Sequence, residues 1–385
     1  MKSLLLIVFC VFHPFHAISS EDTSGTHLPP AGELQNILDI GLRATGGTGV
    51  SAAIRVKENE QWIGASGMSD ETAGEEIRPA MLFDIASAGK TFTAAVVLQL
   101  ADEGKLSLDD PLHRWLPEYK HIDNTATIRQ LLNHTSGISH FTEHDQYWVA
   151  VFGNLDSLWS PEDILAYTPE AHTPPGTTFH YSSTNYVLLG LIIEKATESS
   201  LSAELRDRLF IPFELRNTYT PLESKVSAPG VMAHGHYDID RDGELDDVGL
   251  LSRRSIFSSV WASGPVVSSA EDLALWAESL FNGDVLAQES LDQMLDFHRP
   301  TPGEPFLSGY GLGACELRSE FFGGTRVWGH LGLQPGFMTA MLYFPDYSAS
   351  MAVLINDNNE STITQIAVGL WDAVKAHLEE TVYNG

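Results

Sequence analysis

Two apolar strand pairs sit near opposite ends of this 385-residue chain, and a long helical stretch separates them. Near the start, Val50 to Val56 and Gln61 to Ala65 flank the polar Lys57-Glu-Asn-Glu60 and read as a β-hairpin. Near the end, Phe337 to Phe344 and Ser350 to Ile355 flank Pro345-Asp-Tyr-Ser348 and read as a second. A lone hairpin is marginal in water, so the two pairs are expected to join in one sheet built from both chain ends. Amphipathic helices bracket that sheet: Leu34, Ile37, Leu38 and Leu42 at one end, and Ile363, Ile366, Ala367, Leu370, Val374 and Leu378 at the other.

Between them, Ser87 to about Leu295 carries helix signals. The run from Ser87 to Glu103 is followed by Gly104 at a C′ position. Ser160-Pro-Glu162 and Ser269-Ala-Glu-Asp272 are N-terminal capping signals. The expected fold class is α/β of the α+β kind, with an antiparallel sheet, flanking terminal helices and a mostly helical insertion. In residue numbers, a single domain spans 20–385. Its sheet part takes about 30–86 and 305–385, and its helical part about 87–304.

The first residues read as an address. Lys2 precedes nine apolar residues, Leu4 to Phe12, too short a run to span a bilayer but suited to a secretory signal over 1–19. Ala17 and Ser19 form a cleavage pair, and secreted or periplasmic export follows. No membrane span remains after cleavage. Cys10 lies inside the apolar run, so the mature chain keeps only Cys315 and makes no internal disulfide. Tyr310-Gly-Leu-Gly-Ala-Cys315 reads as a glycine-bearing strand, with the thiol a buried small hydrophobe. Lys plus Arg number 22 against 51 Asp plus Glu, a net charge of −29. Such a field disfavours nucleic acid and anionic membrane surfaces as partners.

Ser87-Ala-Gly-Lys90 opens a helix after the apolar segment Met81 to Ala86. Residues i and i+3 share a helix face, which brings a hydroxyl and an ammonium together. A helix start also offers N–H groups where an oxyanion would develop. Around it, Phe83-Asp-Ile-Ala-Ser-Ala-Gly-Lys-Thr-Phe-Thr-Ala94 closely resembles the nucleophile segment of the serine β-lactamase, DD-peptidase and carboxylesterase superfamily, which includes the class C β-lactamases and family VIII carboxylesterases. Leu100 to Pro111, Leu131-Leu-Asn-His-Thr-Ser-Gly-Ile138, Tyr181 to Gly190, Ala262 to Leu273 and Gly329 to Phe337 resemble further family stretches in the family's order.

The resemblance implies an acyl-serine mechanism without a cofactor. Ser87 would be the nucleophile and Tyr181 its base, with Lys90 as the cation that makes a phenol useful near neutrality. His330-Leu-Gly332 matches the strand motif in which relatives carry Lys-Thr-Gly or His-x-Gly, and His330, in place of that lysine, would be a fourth catalytic residue. The backbone N–H groups of Ser87 and Leu333 would form the oxyanion hole. Two positions depart from the pattern. Ser183 stands where Asn is expected two residues after Tyr181, and Leu331 stands where many relatives place Thr. Together with Gly332 these residues would line the substrate. Both departures weaken recognition of a peptide or β-lactam carboxylate and shift expectation towards an esterase-like hydrolase of small ester or amide substrates. A D-Ala-D-Ala carboxypeptidase, a penicillin-binding D-peptidase or a β-lactamase is the alternative, and a catalytically weak binding protein is the alternative of another class.

Two metal-like strings stand outside this scheme. His140-Phe-Thr-Glu-His144 spells the H-x-x-E-H of inverted zinc peptidases, yet it follows the turn-rich Thr135-Ser-Gly137 rather than opening a helix, so zinc is not expected there. Asp238, Asp240 and Asp242, followed by Gly243, have the spacing of a calcium loop. Its twelfth position is Gly249 in place of Glu, and Asp246 is a further oxygen source. Calcium there would be structural, and a solvated acidic loop is the alternative.

Overall fold

The computed structural model describes residues 27–57, 60–221, 230–264, 266–298 and 305–384. The signal-like segment 1–19, with Cys10, Ala17 and Ser19, lies outside them. An eight-stranded antiparallel sheet organises the rest. In chain order its strands are β1 (Gly49–Arg55), β2 (Gln61–Asp70), β3 (Glu75–Glu76), β4 (Leu307–Tyr310), β5 (Cys315–Leu317), β6 (Val327–Gln334), β7 (Phe337–Phe344) and β8 (Ala349–Ile355). Across the sheet they run β3-β2-β1-β8-β7-β6-β5-β4, so both expected hairpins are present and β1 pairs with β8 at the join.

The join explains why these strands read as unbroken apolar runs. Along β8, Met351, Val353 and Ile355 point into one core while Ala352 and Leu354 point into the other. Strand residues alternate faces, so a strand with both faces covered shows no polar positions. The first core is closed by α1 (Ala31–Thr45) and the C-terminal α5 (Glu360–Asn384). Gly41 lets these two helices approach: a Cβ there would lie 2.7 Å from the Ile366 side chain. Trp371 of α5 stacks flat on Phe344 of β7.

The second core joins the sheet to the middle of the chain. Its centre is α2 (Lys90–Asp102), buried from Lys90 to Leu98 without a solvent face, and beside it α3 (Thr184–Thr197). Residues hydrophobic all round are what a fully enclosed helix requires. Phe92 stacks on Trp276 of α4 (Ala270–Phe281), whose N-cap Ser269 accepts from Asp272 N–H as its sequence implies. Ser160 likewise caps Pro161–Leu165 in a reciprocal capping box with Asp163.

Two local readings are corrected. Helix α2 begins at Lys90, and Ser87 sits before it in a 3₁₀ turn, Ala86–Gly89. Tyr310 to Cys315 is a reversal between β4 and β5, made possible by Gly313 at φ +88°, a backbone that side chains resist. Two short ladders stand outside the main sheet, one of them formed by the apolar segment 81–86. Phe83–Asp84 pairs with Val267–Ser268, and His236–Tyr237 pairs with Asp246–Asp247.

Candidate active site

The Phe83–Asp84 ladder aims the chain into the turn that carries Ser87. Asp84 Oδ1 accepts from Ala86 N–H at 2.9 Å, and Ala86 is held at φ +48°. A non-glycine residue in that region costs about 1–2 kcal/mol, so the turn is a strained element that its surroundings impose. Behind it, the buried Arg253 guanidinium lies 3.5 Å from Asp84 Oδ2 and rests on the rings of Phe337 and Phe257. Burial still holds the Asp84 carboxyl up at about 6 despite this cation.

Strand β6 and the segment at Ser263 close on the same turn, and glycines permit it. A Cβ on Gly332 would lie 2.2 Å from the Ile85 carbonyl oxygen, and one on Gly264 2.6 Å from that of Ala86. Neither approach tolerates a side chain. Leu333, next along β6, points its side chain to solvent, so only its backbone can serve the site.

One turn into the structure from Ser87, Lys90 is fully buried. Its Nζ donates to Ser87 Oγ at 3.0 Å and to the Ser263 carbonyl at 2.7 Å. Burial pushes the ammonium down to about 7, far below an ordinary lysine. The same nitrogen lies 5.2 Å from the centre of the Tyr181 ring. Tyr181 is half-buried just before α3 and packs on His134, with ring centres 4.3 Å apart. Three of the four residues expected to do chemistry, Ser87, Lys90 and Tyr181, are therefore brought together.

His330 is on β6, buried, and hydrogen-bonded at both ring nitrogens. Nδ1 lies 2.6 Å from the Leu331 carbonyl and Nε2 3.0 Å from Tyr310 Oη. A carbonyl only accepts, which assigns the hydrogen to Nδ1 and makes Nε2 the acceptor for Tyr310. Burial and then Lys90 hold this imidazole down at about 3, so it stays neutral. Ser183 is buried at the start of α3, where its side chain makes no capping bond. Asn185 is committed elsewhere: Oδ1 accepts from Ser136 Oγ at 2.6 Å, and Nδ2 lies 3.2 Å from His134 Nδ1. It does not replace the missing Asn at Ser183.

A cavity of about 320 Å³ runs from Ser87 and Tyr181 along β6 to α5. Its walls are mostly apolar, with Phe306, Leu317, Phe321, Leu331, Met338 and Val368 among them. Beyond Ser87, Tyr181 and His330, the polar side chains in that surface are Thr339, Glu360 and Thr364. Glu360 stands at the α5 end, and the buried Thr339 hydroxyl has no protein partner. Cys315, buried as expected, is also part of the wall. Single-residue reading misses Ser263, Gly264, Tyr310 and Thr339, because each acts through a packing neighbour distant in sequence. The Ala262-Ser-Gly segment is the one signal that could have marked two of them.

The metal-like strings fare differently. Of the H-x-x-E-H residues, half-buried His140 turns its Nδ1 to Thr142, and His144 Nδ1 accepts from Gln146 N–H. Glu143 faces His172 and His180 instead. Asp238, Asp240 and Asp242 bring one oxygen each within 4.8 Å of one another. Asp246 lies on the adjoining ladder, its carboxylate accepting from Ile239 N–H. Among the described residues no helix is long and apolar enough to cross a membrane.

Comparison with known proteins agrees with this geometry. The family model described as Beta-lactamase matches residues 34–370. Penicillin-binding protein 4* of Bacillus subtilis (strain 168) is 27% identical over 309 residues, covering 78% of this chain and 66% of that protein, so the chain spans just under two thirds of its length. The crystal structure of a D-stereospecific amidohydrolase from Streptomyces sp. superposes with a TM-score of 0.76 at 30% identity, over 87% of this chain and 97% of that one. D-amino acid amidase from Ochrobactrum anthropi SV3, complexed with D-phenylalanine, gives a TM-score of 0.79 at 25% identity over 90% and 98%.

Proposed function

This chain belongs to the Beta-lactamase family, and we propose that it is an exported serine hydrolase acting through an acyl-serine intermediate on small ester or amide substrates with an apolar acyl group. The observation that carries the reading is the apolar cavity opening directly on Ser87, whose hydroxyl is already hydrogen-bonded to a lysine shifted to about 7. Ser87 Oγ attacks the substrate carbonyl carbon and passes its proton to the Lys90–Tyr181 pair. The pair must first lack one proton, whichever of its two atoms that proton leaves. The backbone N–H groups of Ser87 and Leu333 hold the oxyanion. Collapse breaks the bond to the alcohol or amine, which takes the proton from the pair. Water then attacks the acyl-serine by the same route, and no step draws on a metal.

A second reading, hydrolysis of D-amino acid amides or peptides, rests on the likeness to the two D-specific amidases and on Glu360. That carboxylate lines the cavity and suits a substrate ammonium. Leu331 leaves no hydroxyl, and Ser183 no amide, at the two positions where peptide-cleaving relatives recognise their substrates, which favours the esterase-like reading over a penicillin-binding one.

Intact mass after treatment with a fluorophosphonate and, separately, with a penicillin tests the proposal. An adduct with the fluorophosphonate alone, absent in Ser87→Ala, is expected; adducts with both would return the D-peptidase reading, and none with either would remove the hydrolase. Rates on p-nitrophenyl esters, D-phenylalanine amide and L-phenylalanine amide then rank the two readings.

A further inference from the structure

Glu143, His172 and His180 come from three places in the sequence and converge on one point beside the catalytic cleft. His172 Nε2 lies 2.8 Å from Glu143 Oε2, and His180 Nε2 lies 3.0 Å from Glu143 Oε1. The two imidazoles lie with ring centres 4.0 Å apart and planes tilted by 53°. All three ligand atoms fall within 4.8 Å of one another. We propose that these three residues form a binding site for a divalent transition-metal ion, with zinc as the ion that its donors suit.

The donor set decides the class of ion. Two imidazole nitrogens and one carboxylate match zinc and cobalt, whereas calcium and magnesium take oxygen ligands. Tetrahedral bonds of about 2.1 Å place ligand atoms about 3.4 Å apart, a spacing that the three side chains, with ligand atoms within 4.8 Å of one another, reach by side-chain adjustment. Each neutral imidazole frees its Nε2 lone pair by moving its hydrogen to Nδ1. His172 and Glu143 are exposed, which leaves a fourth position for water.

The site is held in shape before any ion arrives. His172 N–H donates to the Gly137 carbonyl, Gly176 N–H to that of Thr135, and His180 N–H to that of His134. These bonds lay the 172–180 loop along the 134–137 segment, and Pro174-Pro175 stiffens its turn. Gly137 sits at φ +74°, where a Cβ would meet the Thr173 carbonyl oxygen, so the two segments pack backbone to backbone. His180 immediately precedes Tyr181. A bound ion ties that residue to Glu143 and fixes the entry of the chain into the active site.

The zinc-like string in the sequence does not encode this site. His140 and His144 are turned away, and only Glu143 is shared. Two further clusters serve as controls: Asp238, Asp240 and Asp242, which offer oxygen alone, and Asp70, His234 and Asp247, which offer one imidazole.

The test uses the full-length chain without a histidine tag, stripped of metal, then titrated with Zn²⁺ against a chelating dye and with Co²⁺ by visible absorption. We expect one equivalent of Zn²⁺ and a cobalt band of a four-coordinate site in the wild-type chain. His172→Ala and Glu143→Gln should each weaken zinc more than about 10-fold, the loss that even an outer partner of a metal ligand produces. His234→Ala should leave it unchanged. A wild-type chain that shows no cobalt band, or whose zinc affinity survives both substitutions, would overturn the site. So would loss of binding in His234→Ala alone. Both His172 and Glu143 are surface residues, and thermal melts of each variant verify that the fold persists.

Discussion

At the residue scale, the chemistry rests on one buried amine. Lys90 carries its proton below about pH 7 and loses it above, because burial penalises the ammonium. With Lys90 and Tyr181 both protonated the pair cannot accept the Ser87 proton, so activity should rise with pH. We expect kcat/KM on a neutral ester to climb tenfold per pH unit below an apparent pKa near 7 and to level off above it; a profile flat from pH 5 to 9 would contradict the assignment. His330 should add no limb of its own, since it is neutral throughout this range. Glu360 supplies a second expectation. Glu360→Gln should raise KM for D-phenylalanine amide by about 2- to 5-fold, roughly one solvent-accessible charge contact, while KM for an uncharged ester stays unchanged. Steady-state kinetics on the two substrates checks this.

The geometry around Ser87 belongs to elements rather than residues. Strand β6 can lie against the nucleophile turn only because Gly332 has no side chain. Gly332→Ala should push strand and turn apart and cost about 10²- to 10³-fold in kcat, the loss that follows removal of one oxyanion donor. Fluorophosphonate labelling at constant thermal stability separates this from misfolding. The turn itself is braced from behind by the buried Asp84–Arg253 pair. Arg253→Met leaves a buried carboxylate without its cation and should destabilise the protein by about 3–5 kcal/mol at pH 8. Asp84 is raised to about 6 in the folded chain, so the protonated form favours folding. Its contribution is fully present below the ordinary carboxylate pKa near 4 and is lost as pH rises through about 6. The penalty in Arg253→Met should therefore shrink from pH 8 towards pH 5, as urea melts at the two values would show. An equal penalty at both would mean that Arg253 acts through packing on Phe337 and Phe257 alone.

For the whole molecule, the main consequence is that the middle cannot stand apart from the sheet. Phe92 and Trp276 share one core with Ala53, Met341, Ala352 and Leu354 from strands at both chain ends. A fragment of residues 87–304 loses that face and should show no cooperative unfolding by near-ultraviolet circular dichroism. A fragment that melts cooperatively would mark it as a separate domain. The acidic surface acts at this scale too. A net charge of −29 disfavours anionic polymers as substrates and suits neutral or cationic ones, in keeping with the apolar cavity and its single carboxylate at Glu360.

Local periodicity determined much by itself. The hairpins at 50–65 and 337–355, the terminal helices and the caps at Ser160 and Ser269 depend on alternation and on hydrogen bonds within a few residues, so the sequence alone carries them. Ser87, Lys90 and Tyr181 were legible as a motif, but their chemistry was not. A lysine is a strong base until enough apolar chain surrounds it to make its charge costly, and that enclosure comes from residues far from Lys90 in sequence. The same holds for the neutral His330, whose partner Tyr310 lies on a strand two places away in the sheet. It also holds for Glu143, which the string of its neighbours joins to His140 and His144 and which the folded chain gives to His172 and His180. Desolvation and long-range pairing are properties of the packed whole, and no stretch of sequence contains them.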